Sequence, residues 1–196
     1  MQNPTNVTQI GGAMGDRLRE RVAFIQPAVA VDESSWFAVQ TKPRHEKKVA
    51  AELAEKGIAV FLPLVSALHQ WTDRRREVML PLFTNYTFVR IGGERNPRVS
   101  ILRTNGVVGF VGMQGRPVPI PDEQINAVQT ILRERIPYSL HPYLNVGRKV
   151  RIRGGCLDGI QGVILAMNGA QSLIVSIEGI QGSLAVRIAG YGLEAA

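Results

Sequence analysis

A chain of 196 residues with 45% hydrophobic and 20% charged side chains has an ordinary globular balance, which excludes a disordered polymer, and no apolar run reaches the length of about 18 residues that a membrane-crossing helix requires. The 23 Lys and Arg outnumber the 16 Asp and Glu, and the resulting charge of +7 and pI near 10.1 favour an acidic partner, nucleic acid first. The single cysteine, Cys156, excludes an internal disulfide and a cysteine-rich zinc site, and it fits a reducing cytosol.

Residues 1–33 show no sustained apolar period and read as a poorly ordered tail, with a short helix at Asp16–Phe24. Within them Val22–Val31 follows Arg17, Arg19 and Arg21 in the manner of an export signal. Gln26 and Pro27 break the apolar run and the basic residues lie far from Met1, so a cytoplasmic location is expected. Trp36–Thr41 reads as a strand. Pro43 suits the first turn of a helix, Val49, Ala50 and Leu53 form that helix's apolar stripe, and Gly57 ends it. Ile58–Val65 is a second β-rich run, Gln70–Leu82 a hairpin turning at Thr72-Asp73-Arg74, and Tyr86–Ile91 an alternating strand.

Asn96-Pro97 opens a short helix with Val99 and Leu102, and Val107–Val111 is β-like. Asp122, after Pro121, caps a helix whose Ile125, Val128 and Leu132 share one face. The order β-α-β-β-β-α-β-α predicts an α+β fold over residues 34–135, with helices packed on a sheet. Residues 136–145, with Pro137 and Pro142, lack periodicity and read as a loose linker. From 146 to 196 short Val/Ile-rich runs alternate with glycines, among them Lys149–Arg153, Val163–Met167, Leu173–Ile177 and Leu184–Ile188. Asn168-Gly169 marks a hairpin, and a small β-barrel is expected.

Residues for catalysis are missing from the pattern. His45, His69 and His141 have neither ligand nor base spacing, and no phosphate-binding glycine loop occurs. Cys156 follows Gly154-Gly155 and is expected as a small buried hydrophobe. Asp122-Glu123 suits a first helical turn rather than an acid/base pair. No enzyme, metal or cofactor is expected. Binding surface is the stronger theme. Lys42, Arg44, Lys47 and Lys48 cluster at a helix start and Arg74, Arg75 and Arg76 tip the hairpin, either as solvated charge or as groups that neutralise phosphates. In Leu82–Phe88, Tyr86 and Phe88 fall on one face; Phe88 belongs to a core, and Phe83, at a loop edge, is expected to be exposed.

These residues resemble the NusG family. Trp36-Phe37-Ala38-Val39 followed by Lys42 resembles the first strand of its N-terminal domain, and Pro81–Val89 resembles that domain's most characteristic motif. Gly106–Val111 and Pro119-Ile120 continue the likeness in order, and Gly147–Ile152 through Gly155, Gly159 and Gly162-Val163 is similar to its KOW module. The resemblance covers about Trp36 to Ile188. It implies an antiparallel four-stranded sheet with packed helices, followed by an SH3-like barrel. It implies a monomeric transcription elongation or antitermination factor that docks on the clamp helices of bacterial RNA polymerase through Phe83 and Tyr86. Arg103, Thr104 and Asn105 would face the other side of the cleft, and bridging the cleft would suppress pausing. Lys42, Arg44 and Arg103 would approach non-template DNA, with nascent RNA as the other auxiliary contact.

In the barrel the partner loop carries Glu178 and Ile180, with Glu178 where general members have an aromatic anchor for Rho or a ribosomal protein. A carboxylate cannot supply that apolar anchor, which favours a specialised paralogue acting on selected operons and leaves the barrel's partner open. A general factor coupled to Rho or the ribosome is the alternative, and a ribosome-associated KOW protein that binds RNA is the reading from another class. Glycine and β-branched residues across 147–188 disfavour a barrel that refolds as helix.

Overall fold

The computed structural model describes residues 24–25, 34–70, 75–92, 97–113, 116–141, 147–167, 170–180 and 182–196. In chain order the first part comprises β1 (Phe24–Ile25), β2 (Ser35–Thr41), α1 (Glu46–Glu55), β3 (Ala59–Phe61), β4 (Leu64–Gln70), β5 (Arg75–Pro81) and β6 (Tyr86–Ile91). It continues through α2 (Arg98–Leu102), β7 (Val107–Phe110), β8 (Gly112–Met113), β9 (Arg116–Pro117), β10 (Pro119–Ile120) and α3 (Asp122–Arg133). The second part comprises β11 (Tyr138–His141), β12 (Lys149–Arg153), a 3-10 turn (Gly155–Leu157), β13 (Gln161–Met167), β14 (Ala170–Ser176), β15 (Ser183–Arg187) and β16 (Gly192–Ala195).

The first sheet runs β1-β3-β6-β2-β10, with β7 also on β2, every pair antiparallel. It has six strands where four were expected. The additional ones, β1 and β10, have two residues each, too few to display an alternation. β1 also falls inside the stretch expected as a tail and as a helix; Phe24–Ile25 pairs instead with Val60 and Phe61 of β3. The rest of that expected helix lies outside the described residues.

Trp36-Phe37-Ala38-Val39 reads as one apolar run because both sheet faces are covered. Trp36, Ala38, Phe61 and Phe88 point to one side, and Phe37, Val39, Val60 and Val89 point to the other, against Val49, Ala50 and Leu53 of α1 and Ile101 of α2. The period of two sorts neighbours onto opposite faces, and a helix on each leaves no polar position. Thr87 is an exception: it is fully buried, and its hydroxyl finds no hydrogen-bond partner among the described residues. Thr87→Val keeps the shape and removes the unpaired group, and is expected to stabilise the fold by about 1 kcal/mol. A urea midpoint that does not rise would contradict this.

Helix α1 starts at Glu46, three residues after Pro43, because Arg44 occupies the left-handed region at φ 63° and turns the chain before the helix can begin. Its end is as expected: Gly57 donates to Ala54 O at 2.9 Å and Ile58 to Leu53 O at 3.1 Å, the paired bonds of a Schellman stop. Pro63 splits the expected run Ile58–Val65 into β3 and β4. The hairpin of β4 and β5 is paired from Leu64↔Pro81 to Gln70↔Arg75, longer than expected, and its turn lies outside the described residues.

At α3 the N-cap position is Pro121, and no side chain caps the helix. Asp122, expected as the cap, stands in the first turn, and its carboxylate accepts from Arg90 Nη2 at 3.0 Å. Arg90 also donates to Ser34 Oγ at 2.9 Å and lies over the Trp36 ring, so one guanidinium fastens the helix start to the sheet.

The second sheet runs β11-β15-β14-β13-β12-β16, again antiparallel throughout. Val150, Ile152, Leu173, Val175, Leu184 and Val186 alternate into its interior. β13 and β14 flank Asn168-Gly169, which itself lies outside the described residues. The sheet takes in residues expected as linker: Tyr138–His141 pairs with β15 along its whole length.

Nor are the two parts loosely joined. Helix α3 buries Ile125, Val128 and Leu132 as expected, and also Ala127 and Ile131. At roughly 100° per residue these form a second stripe about 110° around the helix from the first. Helix α3 touches β2 on one side and β13, β14 and the 3-10 turn on the other. A single core of buried residues runs from Trp36 and Phe88 through α3 into Ile152, Leu157 and Leu173.

Candidate docking interface

The turn between β5 and β6 is built by backbone bonds from three directions. Leu82 N–H donates to Pro63 O at 2.8 Å, Thr41 N–H to Asn85 O at 2.8 Å, and Asn85 N–H to the Glu46 carboxylate at 2.8 Å. Asn85 takes φ 67°, a value tolerated by asparagine at the third position of a tight turn. The result aims Phe83 and Tyr86 toward the same side as Phe88, with the Phe83 ring edge-on to Phe88 at 6.0 Å between centroids.

Phe83 was expected to be exposed, and it is 6% exposed. Its cover is the second sheet's loop. A Cβ built on Gly182 would stand 3.2 Å from the Phe83 ring, so a side chain here would press on the ring, and glycine lets the loop lie close without that strain. Beside it, a Cβ on Gly179 would meet Val111 Cγ1 at 3.0 Å, and Gly179 holds φ 85°. Gln124 of α3 grips the same loop twice: its Nε2 donates to Glu178 Oε1 at 3.2 Å, and its Oε1 accepts from Glu178 N–H at 2.7 Å. Ile180 is buried in the shared core. Tyr86 packs against that core too and stays half-exposed. The residues picked from sequence at two distant places, Phe83 and Tyr86 with Glu178 and Ile180, thus fall into one interface.

The loop after α2 presents a different surface. Arg103 and Asn105 are exposed, but Thr104 is buried, accepting from Lys56 Nζ at 2.7 Å and donating to Ser100 O at 3.0 Å. Thr104 therefore holds the loop and leaves the surface to its neighbours. Lys42 N–H donates to Gly106 O at 2.7 Å, which brings the exposed side chains of Lys42 and Arg44 to the foot of this loop. Lys47 and Lys48 are exposed on α1. Arg74 lies outside the described residues; Arg75 and Arg76 form the start of β5, opposite Gln70 and His69.

Sequence reasoning missed Arg90, Gln124, Val111 and Gly182, which act through partners far along the chain and carry no local signal. It also misplaced Cys156. That side chain is exposed: Leu157 takes the buried position, and the thiol lies 3.4 Å from Tyr191 Oη, a contact that pushes the phenol above its ordinary pKa. Among the described residues no three His, Cys, Asp or Glu gather as metal ligands, and no helix is long and apolar enough to cross a membrane.

Residues 34–129 match the family model described as "Transcription termination factor nusG". Proteins named transcription termination/antitermination protein NusG are similar to this chain. The one from Lactococcus lactis is 27% identical over 153 residues, spanning 70% of this chain and 80% of that protein. The one from Deinococcus radiodurans is 28% identical over 174 residues, spanning 74% of this chain and 90% of that protein. A solved structure titled "Domain interaction in Thermotoga maritima NusG" aligns over 81% of this chain and 96% of its own, at 22% identity and a TM-score of 0.46. The matched segment takes in β2 through the first turns of α3, the whole framework of the Phe83 turn, and that segment belongs to the NusG family, whose members are transcription factors and not enzymes.

Proposed function

We propose that the chain is an elongation or antitermination factor that docks on the RNA polymerase clamp through Phe83 and Tyr86. It bridges the cleft with the exposed Arg103 and Asn105 and suppresses pausing or termination. One observation supports this most. The Phe83 face is an apolar surface already covered by a segment of the same chain, held at its rim by one glutamine and two glycines. Apolar burial is non-directional, so a protein partner with an apolar pocket can take the place of Gly182 and Ile180. Docking then requires the second sheet to swing away, and the covered arrangement is the resting state.

Purified core RNA polymerase offered to the full chain tests the reading. Capture at micromolar or tighter affinity, together with longer transcripts past a pause site in a purified system, is expected. Failure to bind would overturn it.

Nucleic-acid contact is auxiliary in this reading. Lys42, Arg44, Lys47, Lys48 and Arg103 are exposed and free to meet phosphates. Weak binding to single-stranded DNA is expected to fall steeply with salt, by roughly −0.7 in log–log slope per phosphate contact. Lys42→Ala with Arg44→Ala should make that slope shallower by roughly 1.4. An unchanged slope removes these two residues from the contact.

Glu178 supports action on selected operons over a general role, because a carboxylate offers no apolar anchor to Rho or a ribosomal protein. The relatives' names, which join termination to antitermination, favour the general role. Titrating Rho onto the polymerase-bound chain separates the two: micromolar binding returns the assignment to a general factor.

A further inference from the structure

We infer that Glu46 is the positioning residue of the Phe83–Tyr86 docking turn, acting through the backbone N–H of Asn85. The inference rests on the docking reading above.

Glu46 is the first residue of α1 and only 5% exposed, and no cation pairs with it among the described residues. A buried carboxylate without a counterion is unfavourable unless donors face it. Here two things do: the positive end of α1 and the Asn85 N–H at 2.8 Å. A charged acceptor makes that bond stronger than a neutral one would be.

The turn needs such a clamp. Its own closing bond, Tyr86 N–H to Phe83 O, is long at 3.4 Å. Asn85 sits at φ 67°, a region that asparagine tolerates at a modest cost, so bonds to its backbone help to hold the turn there. Glu46 takes the N–H of Asn85 and Thr41 takes its C=O, so both polar groups of this residue are pinned from one segment. The same segment holds the other loop, through Lys42 N–H to Gly106 O at 2.7 Å. The stretch from Thr41 to Glu46 is therefore a common strut under both loops assigned to the polymerase cleft. Glu46 is its side-chain link to the aromatic one.

The test uses the full chain with Glu46→Met, which fills the site without an acceptor, and Glu46→Gln, which keeps one. The readouts are amide hydrogen exchange at Asn85 and affinity for core RNA polymerase. With methionine, exchange at Asn85 should speed up about tenfold or more while the amides of β2 and β6 keep their protection. Polymerase affinity should fall about fivefold or more. Glutamine should restore both to within about threefold of the parent. Unchanged exchange at Asn85 in Glu46→Met overturns the inference, and so does equal loss with methionine and glutamine. Loss of protection across the whole sheet does the same, since that marks a general packing role. If Glu46→Met does not fold, Glu46→Asp, which withdraws the carboxylate by one methylene, takes its place with the same outcomes. Tyr86→Ala separates the two readings. Normal binding by that variant brings down the docking reading and this inference with it. Weak binding by it beside normal binding by Glu46→Met overturns the positioning role alone.

Discussion

Tyr86→Ala is expected to weaken binding of the full chain to core RNA polymerase about tenfold or more, with circular dichroism unchanged. An aromatic anchor in an apolar pocket typically contributes on the order of 2 kcal/mol on truncation, and 1.4 kcal/mol is already a factor of about ten. Tyr86 is the cleaner of the two aromatic variants for a structural reason. It is only partly buried where Phe83 is 6% exposed, so its truncation disturbs the covered arrangement less than that of Phe83 does. Phe83→Ala removes an anchor but also loosens the cover at Gly182. The open fraction then rises, and apparent affinity rises with it, because only open molecules bind. The single Phe83 variant should therefore lose less than Tyr86→Ala, and the double variant should lose at least as much as Tyr86→Ala. Normal binding by a folded double variant would place the docking face elsewhere.

That difference between two neighbouring aromatics marks where sequence reading stopped. The strand at Trp36, the stop at Gly57 and the core place of Phe88 follow from spacings of two to four residues, and the structure has them as expected. Phe83 looks exposed on the same grounds because what covers it comes about 100 residues later, and no local period encodes such a contact. A clue was present in α3. Ala127 and Ile131 lie one turn apart, on a different face from Ile125, Val128 and Leu132. A helix lying on one sheet needs one stripe. Two stripes call for a second partner, and here the second partner is the sheet that also covers Phe83. The segment 136–145 misled for a different reason. Its prolines deny it a helix, but Tyr138–His141 lies between them, and four residues suffice for an edge strand on β15.

Locking the cover should abolish docking outright. A Cβ built on Gly179 stands 3.8 Å from Val111 Cβ, which is close to the usual Cβ separation across a disulfide of about 3.8 Å. Val111→Cys with Gly179→Cys therefore fits a bridge between the two parts, made in a Cys156→Ser background because the native thiol is exposed and would compete. Placing a side chain at φ 85° costs about 1–2 kcal/mol, whereas closing a loop of about 70 residues stabilises the folded chain against unfolding by about 4 kcal/mol, so the bridged protein stays folded. The bridge should form. Once formed it removes the open state, and a partner that binds only the open state then has nothing to bind. Oxidised protein is expected to lose polymerase affinity by about a hundredfold or more, and dithiothreitol should restore it within the same sample. Val111→Cys alone should bind like the parent, and Gly179→Cys alone at least as tightly, because its side chain presses on Val111 only in the covered form. Glu178→Ala, which removes one of the two bonds at Gln124, should shift the balance the other way and tighten binding by a few-fold, about what one exposed hydrogen bond contributes. If the bridged protein binds polymerase as tightly as the reduced one, the Phe83 face is not where the polymerase docks, and the contact between the two sheets is structural only.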